Sequence, residues 1–254
     1  MRKIVASLVL TAGLILAIGP ALAAGDAPQP PKRDWGWYGV FGKHDEKQLK
    51  RGFQVFKDVC SNCHSLKLVA YRNLAALGFT EDEIKAIAAE KEVTDGPNDE
   101  GAMFQRPARP SDRFVAPFPN DKAARAAFNG ALPPDLSLIN KARVGGPDYV
   151  FGLLSGYEDA PAGVTLGDGM NWNKYFPGNQ IGMPAQLVDD LVTYADGTKA
   201  TAEQIGVDVV AFLNWTAEPE LNERKSMGLK TMIFLLLLTA LLYALKRQIW
   251  SDVH

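Results

Sequence analysis

The stretch Cys60-Ser61-Asn62-Cys63-His64 decides how the rest of the chain is read. It fits Cys-x-x-Cys-His, the attachment pattern of a c-type haem. Two thiols separated by two residues can reach the two vinyl groups along one porphyrin edge. The adjacent histidine can then turn under the ring and offer an imidazole nitrogen to the iron. Two other chemistries use the same residue types. A Cys-x-x-Cys redox pair is expected beside a βαβ pattern, and the flanking sequence has none. A structural zinc needs four ligands, and after these three only His44 and His254 remain as histidines. A covalent haem is the reading that accounts for all five positions.

Working outward, Leu49, Gly52, Phe53, Phe56 and Cys60 recur at i, i+3, i+4, i+7 and i+11, one face of a helix that delivers Cys60 to the haem. The helix begins near His44-Asp45, with His44 expected at the surface or as a cap. Gly52 beside Phe53 would let another helix approach closely. Thr201 to Trp215 is the expected partner, with Ile205, Val209, Phe212 and Leu213 on one face. Ahead of the motif, Gly25 to Asp34 reads as a Pro-rich extended arm. The aromatic cluster Trp35, Trp37, Tyr38 and Phe41 then suits either the core or a membrane interface. Behind the motif, Ser65 to Leu77, with Tyr71, is expected around the haem edge.

Thr80 and Glu83 form the two ends of a capping box. From Glu81 to Glu100 there are eight acidic residues against Lys85 and Lys91, which reads as a solvated helix face and loop, or as a steering surface for a basic partner. Gly101 to Pro119 lacks periodicity and reads as a long loop. Asn120-Asp121 caps an Ala-rich helix through Phe128. That helix carries Arg125, either a surface residue or a guanidinium able to hold a haem propionate in a bidentate fork. Gly130 to Leu136 is a turn stiffened by Pro133 and Pro134, suited to lie flat against a haem face. Asp148 to Gly156 reads as a short helix burying Val150, Leu153 and Leu154, and Glu158 to Gly178 as a Gly- and Pro-rich loop.

A thioether is a soft ligand suited to haem iron opposite a histidine, and such ligation raises the potential. Met103, Met170 and Met183 are the candidates in the body of the chain. Met183 sits in a Gly-Met-Pro loop able to hold a sulfur at fixed depth, although a methionine is commonly only packing.

The two ends speak of a membrane. Residues 1–23 have a basic start at Arg2-Lys3, an apolar core from Ile4 to Ile18 and the small-residue pattern Ala21-Leu22-Ala23, the features of a secretory signal peptide. Thr231 to Leu245 carries no charge over 15 residues, and extension back to Ser226 gives 20 positions interrupted only by Lys230. Twenty helical residues rise about 30 Å, the thickness of a bilayer core. The expected layout is a signal peptide at 1–23, an exported haem domain at 24–225, a transmembrane helix at 226–246 and a cytoplasmic tail at 247–254. Without residues 1–23 the 27 basic residues fall to 25 against 29 acidic, a net charge of −4, which argues against nucleic-acid binding. Both cysteines lie in the motif, so no disulfide framework is expected.

Signal peptide, Cys-x-x-Cys-His, distant Gly-Met-Pro and C-terminal anchor together resemble the cytochrome c1 family of the ubiquinol–cytochrome c reductase (cytochrome bc1) complex. The resemblance runs from about Leu49 to Trp250. It is carried by Arg51 to Val55, Ala123 to Ala127, Asn129 to Ser137, Gly145 to Gly156, Tyr175 to Met183, and Ala217-Glu218-Pro219 through Lys230. It implies a mainly α fold: a cytochrome c-type haem domain with long loops plus one C-terminal transmembrane helix. It implies one haem c held by Cys60 and Cys63, with His64 and Met183 as axial ligands, Arg125 at a propionate and Pro134 in the wall on the histidine side. It also implies a bacterial inner-membrane location with the haem domain in the periplasm. The implied partners are cytochrome b, the Rieske iron–sulfur protein, a soluble c-type cytochrome acceptor and membrane lipid. Some bacterial members carry insertions with a further cysteine pair, and this chain has no cysteines for one.

Two rival functions can be set beside this one. A stand-alone membrane-tethered electron carrier would share motif and anchor, but the loops at 101–119 and 158–178 exceed what a minimal cytochrome needs. A catalytic haem protein would need an open iron position or a second cofactor, and the sequence offers neither.

Overall fold

Helix signals and polar caps set the element order, which the computed structural model describes for residues 27–253. The helices are α1 (Glu46–Asp58), α2 (Glu81–Ala89), α3 (Asp121–Ala127), α4 (Ile139–Ala142), α5 (Gly146–Ser155), α6 (Ala202–Ala217) and α7 (Leu221–Ile249). Two short antiparallel hairpins interrupt them: β1 (Glu92–Asp95) with β2 (Phe104–Pro107), and β3 (Asn171–Trp172) with β4 (Gln180–Ile181). The fold is mainly α, as expected. The segment 1–23 read as a signal peptide lies outside the described residues.

The core is the crossing of α1 and α6. Asp45 starts α1 by accepting from the Lys47 amide, and Thr201 starts α6 by accepting from the Gln204 amide. α1 buries Leu49, Gly52, Phe53, Val55 and Phe56, the stripe read from the spacing. A β-carbon at Gly52 would lie 2.0 Å from the Asp208 carbonyl oxygen, so only glycine permits this approach. Phe53 and Phe56 then meet Phe212 at 5.7 and 5.6 Å between ring centroids. Each buried phenylalanine contributes about 1.5–3 kcal/mol by removal from water.

The close crossing also seals in a charge. Asp208 is fully buried, and its two oxygens accept from Arg51 Nε at 2.8 Å and Arg51 Nη2 at 3.1 Å. Gln204 donates a third bond at 2.9 Å. Arg51 also reaches Asp196, and its pKa is pushed up, chiefly by the bond to Asp208. Loss of Arg51 would leave the buried carboxylate without a charge partner, which costs about 3–5 kcal/mol.

Four expectations are corrected or refined. His44 is not a surface or cap residue: Asp45 is the cap, and His44 is 7% exposed against the Trp37 ring. Burial lowers its pKa to about 4, so it is neutral at pH 7. The segments 81–100 and 101–119 are not only helix face and loop, because they supply the two strands of the β1–β2 hairpin. Neither strand alternates apolar with polar residues: β1 has one apolar side chain, Val93, and β2 is mostly exposed, so the residue pattern does not announce them. The aromatic cluster divides: Trp35 and Trp37 stack at 4.8 Å in the core, whereas Tyr38 and Phe41 are exposed. Leu153 and Leu154 are half-buried rather than buried.

α7 leaves the body after Leu221, which is buried, and its apolar side chains from Met227 onward are exposed. Its 29 residues make it long and apolar enough to cross a membrane.

Candidate functional site

α1 ends at Asp58, and Cys60–Asn62 form one tight turn that closes on itself. The amides of Cys63 and His64 both donate to the Cys60 carbonyl, at 3.1 and 2.9 Å. Ser61 and Asn62 bond back to the last carbonyls of α1. The two cysteines and the histidine are thereby fixed to the end of a helix that packs in the core. Both cysteines are free thiols. Burial pushes Cys60 up to about 12 and raises Cys63 as well. A dithiol redox pair needs the opposite shift.

His64 turns away from the helix. Its Nδ1 lies 2.8 Å from the Pro134 carbonyl oxygen. A carbonyl only accepts, so Nδ1 carries the proton and Nε2 keeps its lone pair. Burial lowers the His64 pKa more than the Pro134 carbonyl and Asp135 raise it, which favours the neutral imidazole a metal requires. This is the arrangement of a metal-binding histidine whose second nitrogen is oriented by a carbonyl. With free thiols one and four positions earlier, the donor set fits a covalent haem.

The Pro134 carbonyl is itself held in place. Asp135 Oδ2 accepts from Ser65 Oγ at 2.8 Å and from the Lys67 amide at 2.7 Å, and Oδ1 accepts from the Ser137 amide at 3.0 Å. Burial raises the Asp135 carboxyl, but the bonds from Ser137, Lys67 and Ser65 outweigh it and hold the group below its ordinary value. Leu68 donates to Ser137 Oγ, and the Leu136 amide donates to the Ser65 carbonyl. Thr216 of α6 donates to the Ser137 carbonyl at 3.1 Å, tying the turn to the core. Sequence reading missed Asp135, Ser65 and Ser137. Their only signal was a charged and two hydroxyl residues flanking the two candidate haem-facing segments.

The Gly-Met-Pro loop is built differently. Asn173 is fully buried, donates to the Leu153 carbonyl at 2.7 Å and accepts from the Tyr175 amide at 3.0 Å. Asn179, at φ 59°, donates to the carbonyls of Asn173 and Lys174. The Met183 carbonyl accepts from Tyr157 Oη at 2.9 Å and from Asn171 Nδ2 at 3.4 Å. A β-carbon at Gly182 would lie 3.5 Å from the Ala131 β-carbon, so this loop meets the turn that continues to Pro134. Met183 is half-buried, as is Met170, while Met103 is 60% exposed beside β2. Arg125 lies exposed on α3 and donates from Nη1 to the Gly130 carbonyl at 2.7 Å.

In the acidic segment, several carboxylates are already engaged within the chain. Glu81 and Asp82 pair with Lys85, Glu90 with Lys57, and Asp95 with Arg106.

Comparison with known proteins gives a consistent answer. A family profile described as the Cytochrome C1 family matches residues 35–253. "Cytochrome c1" of Rhodospirillum rubrum is 53% identical over 270 residues, covering 100% of this chain and 99% of that protein. "Cytochrome b-c1 complex catalytic subunit, mitochondrial" of Candida albicans is 49% identical over 232 residues, covering 91% of this chain and 81% of that protein. "Cytochrome b/c1" of Bradyrhizobium diazoefficiens is 43% identical over 277 residues, covering 100% of this chain and 40% of that longer protein.

Proposed function

This chain belongs to the cytochrome c1 family, and from that premise we propose that it is the electron-transfer subunit of a cytochrome bc1 complex. In this reading it accepts electrons from the Rieske iron–sulfur protein and passes them to a soluble c-type cytochrome. The observation that carries the reading is the His64 Nδ1 bond to the Pro134 carbonyl, in the same turn as two free thiols.

Cys60 and Cys63 would hold one haem c by thioether bonds, and His64 and Met183 would be its iron ligands. When bound, the haem supplies a one-electron redox couple, whose potential a His/Met pair raises. His64 presents Nε2 in the one tautomer its Pro134 bond allows. Pro134 lines the histidine side. Tyr157 and Asn171 set the depth of Met183 through its carbonyl. Arg125 uses one Nη1 bond on Gly130 and has further N–H donors for a propionate.

α7 spans the inner membrane of a bacterium at 226–246, with residues 24–225 in the periplasm and 247–254 in the cytoplasm. Membrane lipid surrounds the span, and cytochrome b is the neighbouring membrane subunit. Two relatives support assembly over a stand-alone carrier. One is named as a subunit of a b-c1 complex, and the other joins b and c1 in one name. Solubilisation in mild detergent tests the assignment. We expect the chain to copurify with b-type haem and with quinol-dependent reduction of its own haem. Recovery as a monomer lacking both would sink it.

A further inference from the structure

A second site lies at the foot of α7. A cleft of about 330 Å³ opens between the aromatic loop at Trp37–Gly39, the α4–α5 corner and the α6–α7 junction. Its chemistry is unlike that of the haem site. Trp37, Asn140 and Asn214 all line it, and each is 3% exposed. Each also carries a buried polar atom without a hydrogen-bond partner among the described residues: Trp37 Nε1, Asn140 Oδ1 and Asn214 Nδ2. Two of these atoms are donors. Buried polar atoms left unpaired cost about 1–3 kcal/mol each, so two unpaired donors and one unpaired acceptor on residues lining one cleft mark a place built to meet a polar ligand.

The cleft is also cationic. Lys141, Arg224 and Lys225 line it with a single carboxylate, Glu218, which leaves three positive charges against one, or +2. Glu218 pairs with Lys141 at 3.1 Å and with Arg224 at 2.7 Å, and so holds both cations at the wall. Lys225 donates to the carbonyls of Trp37, Gly39 and Gly42, clamping the aromatic loop against α7. That loop carries Tyr38, Val40 and Phe41, which are 45%, 72% and 78% exposed.

Position supplies the identity of the ligand. Lys225 precedes the proposed span by one residue. Arg224 and Lys225 thus lie within about 3 Å, along the helix, of the start of that span. The headgroup layer on each side of a bilayer core is about 5–8 Å thick. The cationic wall therefore stands level with lipid headgroups, with exposed aromatic and apolar side chains beside it, the usual interfacial arrangement.

We propose that this cleft binds the phosphate of an anionic phospholipid headgroup, with Trp37, Asn214, Lys141 and Arg224 as its donors. The proposal rests on α7 as a membrane span. The test uses the full-length holoprotein, delipidated in detergent and titrated with phosphatidylglycerol, with bound lipid counted by native mass spectrometry. Variants are compared once their covalent haem spectra match the parent. The double variant Lys141→Gln/Arg224→Gln should weaken the tightest lipid about tenfold or more. Asn214→Leu should weaken it independently, by removing one donor without changing charge. Lys246→Gln/Arg247→Gln, at the opposite end of α7, should leave it unchanged. Inorganic phosphate at equal concentration should not displace the lipid.

Equal retention in parent and cleft variants would overturn the site. Displacement by inorganic phosphate would also overturn it, in favour of a soluble anion. So would a cross-link to a polypeptide, rather than to lipid, from Tyr38→p-benzoylphenylalanine in the assembled complex. Release of the chain from membranes by alkaline carbonate would instead refute the span itself, a result distinct from a span that stands without a lipid site.

Discussion

The two sides of the proposed haem pocket are held by different physical means. On the histidine side, the ring of His64 is fixed directly by its own bond to the Pro134 carbonyl. The turn behind it is strapped by Asp135, a charged acceptor with bonds from Ser65, Lys67 and Ser137. On the methionine side, the thioether has no such partner among the described residues. Met183 is located through its backbone carbonyl, which accepts from Tyr157 and Asn171, and through a loop organised around neutral asparagines. The first side is anchored on α6 through Thr216, and the second on α5 through the Leu153 carbonyl. A histidine can be aimed by its second ring nitrogen. A sulfur has to be aimed by the loop that carries it. The difference implies that the sulfur ligand is the more easily lost, and that only the histidine side responds to acid.

The sharpest break comes from Met183→Leu. It should leave haem attachment at Cys60 and Cys63 intact while lowering the midpoint potential by roughly hundreds of millivolts. A potentiometric titration that matched the parent would assign the ligand to another residue. Next in size is Asn173→Ala. It strands the Leu153 carbonyl and the Tyr175 amide, and should cost about 2–3 kcal/mol in denaturant unfolding. Its potential should also shift toward that of Met183→Leu, because the loop no longer holds the sulfur. A destabilised protein with an unshifted potential would show that the loop does not position the ligand.

Asp135→Asn addresses the other side and should cost about 1–2 kcal/mol at neutral pH. The folded carboxyl is held below its ordinary value of 3.8. Its stabilisation is therefore complete above that value and is lost as pH falls through the lower folded value. Parent and variant should converge in stability in strong acid, as read by unfolding curves from pH 7 down to about 2. A gap independent of pH would remove the carboxylate's role. The smallest effect belongs to Tyr157→Phe, about 1 kcal/mol from one lost bond, accompanied by a minor shift in potential. Burial raises Tyr157 to about 12, so this difference should be flat across neutral pH.

Local chemistry made much of this readable in advance. Gly52 beside an aromatic stripe announced a close helix crossing, and the structure places it against the Asp208 backbone. Thr80 with Glu83, Asn120 and Thr201 announced helix starts, and all three act as caps. These signals act within one or two helical turns, where spacing alone decides contact. His44 read as solvated because its neighbours in sequence are charged. Its neighbours in space are Trp37 and the Asn222 side chain, which bonds its backbone amide from 178 residues away. The β1–β2 hairpin is unreadable because β1 has Val93 as its one apolar side chain and β2 leaves Phe104 exposed, so neither shows a period of two.

By itself, the sequence determined the chemistry that depends on short spacing: two thiols and an imidazole within five residues, the capped helices and the long apolar run of α7. Only the tertiary structure decided what orients that chemistry. Asp135 meets Ser65 across 70 positions, and the cleft at the foot of α7 draws its wall from four separated segments. Polar bonds of that kind leave no periodic trace, because a single buried acceptor is satisfied by whichever donor the packing of distant elements brings within 3 Å.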